Sequence, residues 1–145
     1  MKLRVLHVIP NFGSGGAERL VVDLLDNSDK ERFEMAAVSL YPESRTNLEK
    51  ELKRKEIKVF YLNKHIGFDI SMFYKLYRLF RAFRPDVIHT HLSVLRYTLL
   101  PMFLCRTPRG VHTIHNLAQK EVDLFGKFIH KFAFICGNIV PVSIS

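Results

Sequence analysis

The stretch Pro10-Asn11-Phe12-Gly13-Ser14-Gly15-Gly16-Ala17-Glu18 carries the densest concentration of chemistry in the chain. It lies between an apolar run and a helical pattern. Glycine admits positive φ and lets a ligand approach the main chain closely. The helix that follows offers unpaired N–H groups and the positive end of its dipole, so the natural guest is an anion such as a phosphate. A tight strand-to-helix turn with no ligand is the alternative. Two common phosphate motifs fail here. Gly13-Ser14-Gly15 opens a G-x-G, but the third glycine of the dinucleotide fingerprint falls on Glu18. A carboxylate there competes with a phosphate for the same N–H groups. "VSLYPES" also puts no acid at the close of the second strand run, since Glu43 lies beyond Pro42, and no Gly-Lys-Ser/Thr follows the glycines. NAD and ATP are therefore not expected.

Histidines are the other candidates. His89 and His91 stand at i and i+2 in "HTHLS" and share a strand face, with His91 at the strand end expected to line a cleft. Asn11, beside the glycines, is a second cleft candidate. His112 and His115 are three apart and face opposite ways, and no acid sits near these pairs to complete a zinc site, so no metal is expected. His7, mid-strand in "VLHVI", reads as a packed core histidine.

These residues must be held by a regular alternation of apolar runs and helical patterns. The runs are 3–9, 35–40, 57–62, 87–90, 111–114 and 139–142, mostly continuous, as in parallel strands covered on both faces. Ala17, Leu20, Val21, Leu24 and Leu25 form one helical stripe, and Phe125, Phe128, Ile129, Phe132 and Ala133 another, closed by Gly137 as a C-cap glycine. Thr46 with Glu49 reads as a capping box, and Pro85 stops the third helix. The expectation is an α/β fold, a doubly wound Rossmann-like parallel sheet of six strands in the order 3-2-1-4-5-6. Pro141 cannot donate to a ladder, which places the sixth strand at an edge.

The chain has 145 residues, 48% of them hydrophobic, which suits one domain. Its net charge of +8 fits anionic partners, whether nucleic acid, lipid or phosphorylated small molecules. No nucleic-acid recognition motif accompanies that charge. Cys105 and Cys136 share no motif and read as reduced thiols. No signal peptide is visible, and the longest uncharged stretch, 97–105, is too short to span a bilayer. In "SMFYKLYRLFRAFRP", Phe73, Tyr77 and Phe80 read as a core stripe, with Lys75, Arg78, Arg81 and Arg84 as a solvated face. The sharper alternative is a basic amphipathic surface resting on anionic lipid.

"GSGGAERLVVDL" resembles the GG-A-E-R motif that opens the N-terminal domain of family 4 glycosyltransferases, which have the GT-B fold. "RPDVIHTH" at 84–91, "GVHTIHN" at 110–116 and "IVPVS" at 139–143 continue the likeness in order over essentially the whole chain. The resemblance implies a retaining, metal-independent transferase that moves a sugar from a nucleoside-diphosphate sugar to a glycan or lipid-linked acceptor, as in polysaccharide biosynthesis. It implies that Gly15 and Gly16 sit against the donor diphosphate, that His115 contacts the transferring sugar, and that Asn116 extends the same loop. It also implies that residues 1–145 are the acceptor-side half, that the donor-binding C-terminal domain is absent after Ser145, and that the isolated chain is inactive. The expected location is cytoplasmic, with peripheral contact at the inner face of the membrane. Two other readings stay open: a non-catalytic basic module at a membrane or polyanion, and another Rossmann-type nucleotide-binding enzyme.

Overall fold

Strand β1, Leu3–Ile9, runs at the centre of the sheet, and its last five residues are buried. The computed structural model describes residues 1–114, 133 and 139–143. Around β1 lie β2 (Phe33–Ser39), β3 (Val59–Tyr61), β4 (Val87–His91), β5 (Arg109–Ile114) and β6 (Ile139–Ser143). All pairings are parallel, and the order β3-β2-β1-β4-β5-β6 is the one expected from the alternation of elements. Pro141 lies in β6 at the edge of the sheet, level with His112 of β5, and an edge strand is where a residue without an N–H is tolerated.

The helices are α1 (Gly16–Asp26), α2 (Asn47–Arg54), α3 (Ser71–Phe83) and α4 (Leu95–Leu104), the last preceded by a 3-10 turn at Leu92–Val94. The stripe on α1 differs slightly from the periodic expectation. Ala17, Val21, Val22 and Leu25 are buried, whereas Leu24 is 38% exposed. Val22 turns inward instead, toward Ile9, Phe12, Ala37 and Leu52, a cluster that joins α1 and α2 to one face of the sheet. On the other face, Met72, Leu76, Phe80 and Phe83 of α3 and Leu95 and Met102 of α4 pack on Leu6, Val8, Val38 and Ile88. Of the aromatics in the third helix, Phe80 is fully core and Phe73 half-buried against it. The expected fifth helix and its glycine cap lie outside the described residues apart from Ala133, which is helical and buried.

Two local devices tie the glycine turn to its surroundings. The capping box of α2 is complete: Thr46 Oγ1 accepts from the Glu49 N–H at 3.2 Å, and the Glu49 carboxylate accepts from the Thr46 N–H at 3.0 Å. Thr46 Oγ1 also donates to the Phe12 carbonyl at 2.6 Å, so the start of α2 holds the turn after β1. Arg19 of α1 meets Glu51 of α2 at 2.7 Å, with Lys55 joining Glu51 to Asp26. Hydrogen bonds from Arg19 and then Lys55 pull the Glu51 carboxyl down to about 2. On an exposed surface such a network adds little stability.

Candidate functional site

Beyond β1 the chain turns through Asn11 and Phe12 into the glycines. Phe12 is completely buried, and Asn11 Oδ1 accepts from the Gly13 N–H at 3.0 Å, which shapes the bend. Among the described glycines only Gly67 has positive φ; Gly15 is an extended N-cap at φ −84°. The turn therefore does not use glycine's left-handed freedom, contrary to one of the two reasons offered by the sequence. What it uses is space. A Cβ on Gly15 would run into the Glu18 carboxylate, and one on Gly13 would crowd Asn11 Oδ1. At Gly16, the first residue of α1, nothing lies within 4 Å. Glu18 thus covers Gly13 and Gly15 and leaves the helix start at Gly16 open, where N–H groups and dipole favour an anion.

A cleft of about 360 Å³ opens at the carboxyl ends of β1–β4, lined among others by Pro10, Tyr41, Lys64, Phe68, Arg96 and Tyr97. In doubly wound sheets ligands bind at this end of the strands. Lys64 is 7% exposed and donates to the His65 carbonyl at 2.8 Å and to the Gly67 carbonyl, with its ammonium over the rings of Tyr41 and Tyr97. Phe68 stacks on Tyr97 with ring centroids 5.7 Å apart. The aromatic walls and buried ammonium suit a ligand that combines ring faces or apolar groups with anionic ones. Sequence reasoning missed this cleft, because its lining comes from segments far apart in the chain and, apart from Pro10 at the start of the glycine turn, from residues outside any motif.

The loop beneath the cleft is held by Asp69, two residues before α3. Its Oδ1 accepts from the Ser71 N–H at 3.0 Å and hydroxyl at 2.6 Å, and its Oδ2 accepts from the His65 N–H at 2.9 Å. The Ser71 hydroxyl first, and then the His65 N–H, lower the Asp69 carboxyl from 3.8 to about 2. A depressed carboxyl contributes its stability above its unfolded value and loses it as pH falls toward the folded one. Asp69→Asn should therefore be less stable than the parent at neutral pH. The gap should close between pH 3.8 and about 2 in thermal unfolding scans; a gap that stays constant over that range would refute the assignment.

The histidines are placed unevenly. His89 and His91 share a face of β4, as expected, with ring centroids 4.2 Å apart. His91, however, is fully buried, so it presents no surface to the cleft. His112 lies on the opposite face, with Nδ1 2.9 Å from Thr90 Oγ1. His7 is packed in the core as expected, but it also meets His89 and His91, because β1 and β4 pair with His7 level with His89. Burial first, and then the neighbouring His89, pull His7 down to about 3, so the ring is neutral at ordinary pH. His115 and Asn116 lie outside the described residues. Among the described residues, no helix is long and apolar enough to cross a membrane.

The profile of Glycosyltransferase Family 4 matches residues 14–140, from the glycine turn to the last strand. The chain belongs to this family. The family member's sheet also superposes on solved GT-B structures and on related epimerases. Anabaena Alr3699/HepE in complex with UDP and glucose gives a TM-score of 0.68 at 14% identity, over 90% of this chain and 35% of that one. A glycosyltransferase from Rickettsia africae ESF-5 gives 0.64 at 15% identity, over 98% and 43%. A putative UDP-N-acetylglucosamine 2-epimerase from Listeria monocytogenes gives 0.65 at 16% identity, over 89% and 37%. At such identities the likeness establishes the fold: a Rossmann-like α/β domain of the kind found in GT-B proteins. The chain spans between a third and a half of the length of these three structures. No curated protein matches it in sequence.

Proposed function

We propose that this family 4 domain is the N-terminal, acceptor-side half of a retaining glycosyltransferase. A second domain following it would hold most of a nucleoside-diphosphate sugar, and the chain on its own would not turn over. The observation that carries the reading is the open helix start at Gly16, at the carboxyl end of the central strand of a family 4 sheet. There the main-chain N–H groups of α1 would neutralise the donor diphosphate without a metal ion at the phosphates. His115, with Asn116 beside it, would contact the transferring sugar. Positioning in the closed cleft would supply most of the rate. That three of the similar structures, two of them of Anabaena Alr3699/HepE and one of S. aureus MnaA, were solved with UDP supports a uridine nucleotide as donor.

The acceptor would lie in the cleft beside Tyr41, Lys64, Phe68 and Tyr97. Ile66, Phe68, Ile70 and Tyr74 are strongly exposed next to it, with Arg78 on the following turn of α3. An apolar fringe beside basic charge supports a lipid-linked acceptor and peripheral contact with an anionic membrane. The test is transfer of radiolabelled sugar from a panel of nucleotide sugars to membrane-extracted acceptors by the protein encoded by the whole reading frame. Label should move into the acceptor fraction with retention at the anomeric carbon. Epimerised nucleotide sugar with no transfer would instead put the protein with the epimerases that share this fold.

A further inference from the structure

We propose that His7, His89 and His91 form a site for a divalent transition-metal ion, with zinc the best fit, bridging β1 and β4. The site is separate from the donor phosphates and does not depend on the transferase reading.

Each of the three residues offers one ring nitrogen such that all three nitrogens lie within 4.8 Å of one another. His7 Nδ1 is 3.2 Å from His91 Nε2. Two nitrogens bound tetrahedrally to one zinc at about 2.0–2.1 Å stand about 3.3–3.4 Å apart, so this edge is already at coordination distance. The other two sides of the triangle are no longer than 4.8 Å, and the rings of His89 and its neighbours stand 4.9 Å apart for His7 and 4.2 Å apart for His91, so binding would draw His89 toward the other two.

The cluster is enclosed on most sides. His7 and His91 are 2% and 0% exposed, and His7 Nε2 has no hydrogen-bond partner among the described residues. With Nδ1 on a metal, Nε2 would carry the ring proton, so coordination would fix the tautomer of this buried ring without itself pairing Nε2. His89 is half-buried, which gives an approach from one side, and its Nε2 lies 2.6 Å from Thr113 Oγ1, a contact that orients the ring from outside the cluster. The donor set is nitrogen only. That selects zinc, cobalt, nickel or copper over magnesium or calcium, which require oxygen ligands. Three protein ligands leave a fourth position for water. Sequence reasoning paired His89 and His91 with the histidines of the next strand and so looked to the wrong side. The expected strand order already set β1 beside β4, and His7 was the available signal.

The experiment uses the untagged 145-residue chain, stripped with a chelator, and titrates it with zinc chloride, cobalt chloride and magnesium chloride by calorimetry and thermal unfolding. Zinc should bind one per chain at micromolar affinity or tighter and raise the melting temperature, while magnesium should do neither. His89→Gln, the least buried position, should weaken zinc binding at least tenfold with an unchanged far-ultraviolet circular dichroism spectrum, whereas His65→Gln should bind as the parent does. X-ray absorption of the zinc-loaded parent, which needs no variant to fold, should show three imidazole nitrogens near the metal. Absence of stoichiometric zinc binding by the parent overturns the proposal. So does parent-like affinity in a folded His89→Gln variant, or an absorption spectrum dominated by oxygen ligands.

Discussion

Replacing Phe12 by alanine is expected to lower the free energy of unfolding by about 3–5 kcal/mol, the usual range for emptying a fully buried phenylalanine site. Phe12 has no exposed surface and packs with Ile9, Val21, Val22, Leu25 and Leu52, so its ring joins the end of β1 to both α1 and α2. The cavity would open beneath the glycine turn. Collapse into it would have to move Asn11 and Gly13, which are fixed by their hydrogen bond, or the Phe12 carbonyl, which is held by Thr46. Relaxation is therefore restricted, which argues for the upper part of the range. A domain of this size is stable by about 5–15 kcal/mol, so the variant would sit near the threshold of folding. Urea unfolding of parent and variant measures the difference directly. A loss below about 1 kcal/mol would mean that the side chain is not enclosed in solution. The turn would then lack the anchor that a phosphate-binding backbone requires.

Several features were legible in the sequence because they depend on local pattern. The bounds of β1, the Thr46–Glu49 capping box and the edge position of the strand containing Pro141 all follow from residues close to one another in the chain. The strand order followed from the alternation of elements, read as a doubly wound Rossmann-like sheet. Features built from distant segments were not legible. His7 and His89 are 82 positions apart, and only the register between β1 and β4 makes them neighbours. The cleft takes Tyr41, Lys64, Phe68 and Tyr97 from two different connections and one helix, none of which signals the others. His91 shows a subtler limit. The period of two gave its face correctly, but its depth, with no exposed surface, depends on distant segments such as β1, whose His7 packs against it. The glycines show another: composition located the turn, yet not whether conformation or clearance was the reason for it.

That distinction makes Gly16→Ala the most informative substitution, because stability and transfer should move in opposite directions. Gly16 opens α1 with ordinary helical backbone, and an added Cβ meets no atom within 4 Å. Alanine restricts the unfolded chain and favours the helix, so the variant should gain about 0.4–1 kcal/mol and melt a few degrees higher. The same methyl group would project into the open space through which, on the proposed function, a diphosphate would approach the N–H groups of α1. Loss of one charge-assisted hydrogen bond there is worth about 1.5–3 kcal/mol, so sugar transfer by the full-length protein should fall roughly 10- to 150-fold in kcat/KM. Gly15→Ala is a poorer probe, since its Cβ would displace the Glu18 carboxylate and change the local charge as well as the space. A Gly16→Ala protein that is more stable and transfers less would place the phosphates at the helix start. If it is more stable and transfers sugar at the parental rate, the diphosphate binds elsewhere, and the clearance at Gly16 has no part in donor recognition.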